Sequence, residues 1–98
     1  MPKGYWVGHM DIDDPAEYES YKAANAAPFA EYGARFLVRG GPFECVEGQT
    51  RARTVIIEFP SYQAALDCYH SEGYQKAKAL RDPVAHGDLV IVEGYDEG

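Results

Sequence analysis

Two neighbouring runs of β-branched and aromatic residues constrain the fold of this chain more than any other feature. The first run extends from residue 34 to 47 and the second from 53 to 59, with a glycine-bearing turn at 48–50 between them. Such runs on either side of a turn are typical of a β-hairpin. Gly40-Gly41-Pro42 interrupts the first run. Because glycine permits positive φ and proline cannot donate to a ladder, we expect a bulge or kink there.

A helix is predicted before this hairpin. Asp14 is expected to cap its N-terminus, with Pro15 in the first helical position, and Gly33 is expected to end it. Pro28 lies inside the helical pattern. Since proline removes a backbone hydrogen bond, we expect it to kink or interrupt the helix.

A second helix is predicted after the hairpin, and a strand at each end of the chain. Ser61 is expected to cap this helix, which breaks and restarts at 71–73 and reaches Arg81. The strands are predicted at 4–12 and 88–94. The order β-α-β-β-α-β predicts an α+β, ferredoxin-like fold, with a four-stranded antiparallel sheet and two helices on one face. We expect residues 1–98 to form a single domain, ending in a polar tail after Tyr95.

The predicted strands are apolar on both faces. In the third strand, Val55 and Ile57 lie on one face and Ile56 on the other. A sheet with one solvated face would alternate apolar with polar residues. Two helices can cover only one face, so the other is expected to meet a second copy of the chain. The sequence therefore predicts a homodimer.

Charge and composition argue against several classes of partner. The net charge is −7 and the nine basic residues are scattered, which makes nucleic acid and anionic membranes poor partners. We expect no leader segment and no membrane span, because the sequence lacks a basic-then-apolar start and an apolar run of the ~20 residues that a span needs. Cys45 and Cys68 are interpreted as free thiols of a cytoplasmic protein. The cysteines and histidines lack metal-ligand spacing, so no metal and no bound cofactor is expected.

Several segments together resemble a known family. They are Gly4-Tyr5-Trp6, Asp14-Pro15 with Tyr18 and Tyr21, the run 36–41, Glu58-Phe59-Pro60-Ser61, and the segment 69–74 with Arg81. The chain resembles small proteins that carry a domain of unknown function within the dimeric α/β-barrel superfamily. The resemblance implies a homodimer with two sheets face to face. Members of that superfamily include cofactor-independent monooxygenases, haem-degrading enzymes, lactone isomerases and binding proteins without known chemistry. The family most resembled has no settled activity, so the resemblance assigns no catalytic residue.

Arg39 and Glu58 are the first candidate pair for chemistry. Each is a charged residue inside an otherwise apolar strand, and such a residue is costly to bury unless it is paired. Because the two strands form the predicted hairpin, the side chains could meet. One interpretation is an arginine that holds an anion and is oriented by Glu58. The other is a structural salt bridge near Gly40.

His9 is the only histidine within a predicted strand. It could act as a general base near neutral pH, or it could be a core or interface histidine bonded to a backbone carbonyl. His9, Arg39 and Glu58 are thus the catalytic candidates, with Arg39 holding an anionic group and His9 or Glu58 transferring a proton.

Four residues with polar tips are predicted on the helix faces that turn towards the sheet: Tyr18, Tyr21, Asn25 and Tyr69. They could form a pocket that holds a small ligand by stacking and a few hydrogen bonds, or an ordinary core whose polar groups are satisfied.

Two functions follow from these alternatives. The first is a cytoplasmic homodimer that binds a small organic acid or aromatic ligand between sheet and helices, with oxygenase- or isomerase-like activity that needs no cofactor. The second is a non-catalytic accessory or stress-related dimer whose polar core residues are purely structural.

Overall fold

Four antiparallel strands form one sheet, and helices cover one of its faces. The computed structural model describes residues 2–96. Met1 and residues 97–98, which belong to the predicted domain and its polar tail, lie outside the described part. The elements follow in the order β1 (Gly4–Ile12), α1 (Pro15–Glu31), β2 (Arg35–Arg39), β3 (Arg53–Phe59), α2 (Tyr62–His70), α3 (Glu72–Arg81) and β4 (Ala85–Glu93).

The strand order in the sheet is β2-β3-β1-β4, and every neighbouring pair is antiparallel. The two central strands are therefore the first and third in sequence, joined to the edge strands through the helical connections and the hairpin. This topology confirms the predicted ferredoxin-like α+β fold. The last strand begins at Ala85, three residues earlier than predicted, because it pairs with β1 along its whole length.

The predicted ends of α1 are confirmed, but Pro28 does not interrupt it. The Asp14 side chain accepts a hydrogen bond from the Glu17 backbone N–H at 3.2 Å, and Pro15 opens the helix. Gly33 adopts a φ of 74° just beyond the helix. Pro28 lies in the last turn, where few further backbone bonds depend on it, and the helix runs through it to Glu31.

The predicted break at 71–73 separates two helices, so the helical layer contains three. The Ser71 side chain donates to the Cys68 carbonyl at 2.7 Å and accepts from the Tyr74 N–H at 3.2 Å. Ser71 thus ends α2 and caps α3.

The hairpin differs from its prediction in length and in the position of the bulge. Strand β2 ends at Arg39, and residues 40–52, which we call the arm, form an irregular connection to β3. The register shift lies between Phe36 and Val38, not at Gly40. Strand β3 begins only at Arg53, so the apolar residues at 43–46 have no strand opposite them and are exposed.

An aromatic core lies between the sheet and the helices. Trp6 is at its centre, donating its indole N–H to the Ala65 carbonyl at 2.9 Å and meeting the rings of Phe29 and Tyr74 edge-on. Alternate residues of β1 are buried on this side, whereas Tyr5, Val7 and His9 point to the opposite face. No helix among residues 2–96 is long and apolar enough to cross a membrane.

We call the opposite side of the sheet the open face. It carries Tyr5, Val7 and His9 of β1, Thr54, Ile56 and Glu58 of β3, and Val90 and Val92 of β4. Val90 is 57% exposed and Val92 is 44% exposed. The prediction that apolar residues occupy both sides of the sheet is therefore confirmed.

Candidate ligand pocket

Two small cavities adjoin each other between the helices and the covered face of the sheet. An inner cavity of about 40 Å³ and an outer cavity of about 30 Å³ share four lining residues, Tyr18, Tyr21, Val55 and Ile57. The inner cavity adds Trp6, Tyr74 and Arg81, among others, and the outer cavity adds Asn25, Arg39 and Arg53, among others. We call the two together the helix–sheet pocket.

A larger groove opens beside the inner cavity, at the end of the sheet where β4 begins. Its volume is about 490 Å³, and Tyr69, Lys78 and His86 are among its lining residues. Met10, Arg81 and Leu89 line both the groove and the inner cavity. These three side chains therefore form the partition between a buried cavity and an open groove.

Asn25 brings an unsatisfied amide to the outer cavity. Helical spacing places Tyr18, Tyr21 and Asn25 on the same face of α1, as predicted. Asn25 is only 3% exposed, and its side chain has no hydrogen-bond partner within residues 2–96. The amide atoms are not fully shielded from solvent, since within residues 2–96 only the Arg53 Nε is a fully buried polar side-chain atom without a partner. The outer cavity is where a ligand or a water could supply that partner.

Cationic groups surround the outer cavity, although the chain as a whole is acidic. The Arg53 Nε is buried without a hydrogen-bond partner, and its guanidinium carbon lies 5.8 Å from the centre of the Tyr18 ring. The exposed Arg39 stacks its guanidinium over Phe36 at 4.1 Å. Lys22 also lines this cavity, and no aspartate or glutamate among residues 2–96 lines either cavity. The electrostatic field in the pocket therefore favours an anion.

Two tyrosines and an arginine form a hydrogen-bonded group at the inner cavity. The hydroxyl oxygens of Tyr21 and Tyr74 are 2.8 Å apart, and Arg81 Nη1 donates to the Tyr74 oxygen at 2.7 Å. Burial raises the pKa of the Tyr74 phenol well above its ordinary value; Tyr21 adds to this rise and the Arg81 charge opposes it. Tyr74 is therefore a neutral phenol at physiological pH.

Arg39 and Glu58 do not meet, so the predicted pair is wrong. The bulge between Phe36 and Val38 places Arg39 opposite Val55, on the helix-covered side. Glu58 lies on the open face, where its carboxylate accepts from the Tyr5 hydroxyl at 3.1 Å and lies 3.8 Å from the Lys3 ammonium. One extra residue in β2 reverses which side its following residues face.

His9 also lies on the open face, away from the helix–sheet pocket. Its Nδ1 is 3.1 Å from the Thr50 hydroxyl and 3.2 Å from that of Thr54. It lines a separate surface cavity of about 310 Å³ together with Arg51 and Asp88. Because His9 and Glu58 are four residues apart along paired strands, about 13 Å separates them. Of the three catalytic candidates, only Arg39 lies at the pocket.

Three pocket residues were not singled out from the sequence: Arg53, Tyr74 and Arg81. Tyr74, Ala77 and Arg81 are spaced by three and four residues on α3, so the helical period could have placed Arg81 on the buried face. Tyr69 lies outside the two cavities, where it packs on Trp6 and Tyr74 and lines the groove. Among the described residues, no group of three potential metal ligands is found.

The topology defines a class of protein, the ferredoxin-like α+β proteins, in which helices cover one face of a four-stranded antiparallel sheet. Within this class, the chain belongs to the family described as a domain of unknown function, DUF1330, whose model matches residues 3–95. No functionally curated protein matches the chain.

Solved structures share the fold at low sequence identity. A protein of unknown function from Rhodopseudomonas palustris is 15% identical with a TM-score of 0.75, the match covering 97% of this chain and 84% of that one. SnoaB, a cofactor-independent oxygenase from Streptomyces nogalater, is 17% identical with a TM-score of 0.66, covering 98% and 96%. A proposed antibiotic biosynthesis monooxygenase from Caulobacter crescentus is 20% identical with a TM-score of 0.65, covering 98% and 92%.

Proposed function

We propose that this protein binds a small organic acid or aromatic anion in the helix–sheet pocket. The observation that carries the proposal is the Arg53 Nε, which lies beside Asn25 at the outer cavity and is buried without a hydrogen-bond partner within residues 2–96. Native proteins satisfy nearly all buried polar groups, so an exception in a cavity needs an explanation. A ligand oxygen that accepts from the Arg53 Nε and also bonds to the Asn25 amide provides one.

The charge around the pocket supports an anionic ligand. Arg53 and Arg81 bring guanidinium groups to the cavity walls, and Arg39 lies at the exposed edge. The tyrosine rings add apolar area on which an aromatic ligand can stack. These features together favour an anion with a flat apolar body.

The size of the cavities limits how the ligand enters. A cavity of about 40 Å³ holds a few water molecules at most. The groove of about 490 Å³ lies within the usual range of ligand sites, and Met10 forms part of the partition. Since methionine is unbranched and flexible, its movement would join the two spaces. The ligand would then place its polar end in the pocket and its body in the groove, where Tyr69 lies.

We further propose that the protein catalyses a reaction of an oxygenase or isomerase type without a cofactor. This proposal is supported by the shared fold with SnoaB, which is described as a cofactor-independent oxygenase. Because His9 and Glu58 lie on the open face, we do not assign them proton transfer in this pocket. Tyr21, which lines both cavities, is the better placed residue for contact with a substrate.

Thermal unfolding with a panel of small aromatic and aliphatic acids tests ligand binding. At 100 times Kd a ligand stabilises the folded state by about 2.7 kcal/mol, which raises Tm measurably. We expect at least one aromatic acid to raise Tm, and Asn25→Leu to abolish the rise while filling the site. If no acid stabilises the wild type, the protein is better described as a non-catalytic accessory or stress-related dimer.

We also propose that the open face joins a second copy in the cytoplasm. The exposed valines of β4 and the apolar side chains of β1 and β3 form one surface there. The resemblance to dimeric α/β barrels supports pairing through this surface. A cytoplasmic location is supported by Cys45 and Cys68, which are both free thiols.

A further inference from the structure

At the inner cavity, the hydroxyl groups of Tyr21 and Tyr74 carry two hydrogens, but only one of these hydrogens has an acceptor within residues 2–96. Tyr21 and Tyr74 share one hydrogen bond at 2.8 Å, which uses one of their two hydroxyl hydrogens. Arg81 is a donor only, so its bond to the Tyr74 oxygen takes up neither hydrogen. Within residues 2–96, no other hydrogen bond involves either hydroxyl group as a donor. One O–H is therefore left without a protein acceptor.

The difference in burial favours Tyr21 as the residue that carries the free hydrogen. Tyr74 is fully buried, whereas Tyr21 is 7% exposed and lines both the inner and the outer cavity. Tyr74 already accepts from Arg81, and donating its own hydrogen to Tyr21 satisfies it completely. The order of donation is then Arg81 to Tyr74 to Tyr21, and the hydrogen of Tyr21 is free to point into the pocket. Hydrogen bonds arranged in such a chain strengthen one another.

The positive charge of Arg81 is incompletely balanced. Its side chain is only 12% exposed, and its nearest carboxylate, that of Asp82, lies 3.7 Å away on a side chain that is 52% exposed. That carboxylate also accepts a shorter bond from Lys78, at 2.8 Å. Because the Arg81 guanidinium is mostly buried and its contact with Asp82 is long, a second negative charge close to it would be stabilised.

From this geometry we infer that Tyr21 donates a hydrogen bond to an anionic oxygen of the ligand. Arg81 is a positioning residue: it donates to Tyr74, its guanidinium carbon lies 5.4 Å from the centre of the Tyr21 ring, and it supplies positive charge. The inference rests on the proposed function and specifies it, because it assigns the anionic end of the ligand to Tyr21, which lines the inner cavity as well as the outer cavity where Asn25 lies. A volume of about 40 Å³ admits an oxyanion but not a ring, so the body of the ligand lies outside it.

Matched probes test the inference. They are 4-nitrophenol, whose visible absorption reports its ionised fraction, 4-nitrobenzoate, and the neutral ether 4-nitroanisole. We expect the wild type to bind at least one oxyanion more tightly than the ether. If 4-nitrophenol is that oxyanion, its apparent pKa should fall on binding. Tyr21→Phe should weaken oxyanion binding by about 10- to 100-fold, the worth of a hydrogen bond to a charged group, and leave ether binding unchanged. The oxyanion that loses affinity identifies the head group.

A double-mutant cycle separates positioning from packing. We expect Tyr74→Phe and Arg81→Gln each to weaken oxyanion binding less than Tyr21→Phe does. Combining Tyr74→Phe with Tyr21→Phe should add nothing to the loss from Tyr21→Phe alone, because Tyr74 acts through Tyr21. Tyr32→Phe removes a hydroxyl outside both cavities and is the matched control, for which no change is expected.

The contradicting outcomes are distinct. If the wild type binds the ether as tightly as both oxyanions, or if Tyr21→Phe weakens all probes equally, the inference is wrong while ligand binding stands. The same holds if the losses from Tyr21→Phe and Tyr74→Phe add. If the wild type binds none of the probes, the proposed pocket for aromatic anions fails as well.

Discussion

At the scale of single residues, charged side chains in the strands are accommodated without pairing across the hairpin. Arg39 stacks on Phe36 at the edge of the pocket, and Glu58 bonds to Tyr5 on the other side of the sheet. Both keep some contact with solvent. Neither therefore carries the several kcal/mol that a broken buried ion pair would cost.

This arrangement predicts independent effects for the two residues. Arg39→Met should reduce the free energy of unfolding by less than about 1 kcal/mol, the value of an exposed cation–π contact. Combined with Glu58→Gln, the two losses should add to within about 0.5 kcal/mol. Urea denaturation of the two single variants and the double variant measures this. Recovery of stability in the double variant would show that the two charges interact after all.

At the scale of elements, the arm is fastened to the sheet at its C-terminal end. The Asp11 carboxylate accepts from the Ala52 backbone N–H at 3.1 Å and from Arg51 Nη1 at 2.9 Å. Arg51 also donates to Asp88 at 3.3 Å. The bond from Ala52 and then that from Arg51 lower the pKa of Asp11 below its ordinary value, in spite of some desolvation.

This fastening predicts a pH-dependent change in the arm. Because the folded-state pKa of Asp11 is lowered, its contacts contribute fully above the unfolded pKa of about 3.9 and are lost as pH falls through the folded value. Asp11→Ala should reduce protection of the Ala52 amide in hydrogen exchange at neutral pH. Glu44→Ala, an exposed acidic residue in the same arm, is the control. Equal protection in Asp11→Ala and the wild type would contradict the role given to Asp11.

The sequence predicted elements well where one periodic signal decided them. Tyr18, Tyr21 and Asn25 lie together because the helical period places them on one face, and α1 begins and ends where its caps indicated. The position of Arg39 could not be predicted, because a bulge of one residue has no clear sequence signal at Leu37 and reverses every side chain after it. Similarly, the apolar composition of 43–46 suggested a strand, but strand formation depends on a partner that β3 does not provide.

At the scale of the whole molecule, the proposal to test is that the open face pairs with a second copy of the chain. We expect light scattering to give a dimer of the 10.9 kDa chain across micromolar dilution, with on the order of 1,600 Å² or more buried. Val90→Arg places a charge on the open face, on edge strand β4 beside Val7, and should shift the equilibrium towards monomer. Leu80→Arg changes a similarly exposed apolar residue on α3 and should leave the dimer intact. A monomer at every concentration would contradict pairing through this face.

Chemical-shift mapping of an isotopically labelled sample with benzoate tests most directly whether the helix–sheet pocket is the binding site. If benzoate binds in this pocket, we expect saturable shifts of the Tyr21, Asn25 and Tyr74 backbone amides and of the Asn25 side-chain amide, because these residues line the two cavities. The amides of Thr50 and Asp88, beside His9 on the open face, should not move. Saturable shifts confined to Thr50, Asp88 and their neighbours, with none in the pocket, would contradict this expectation.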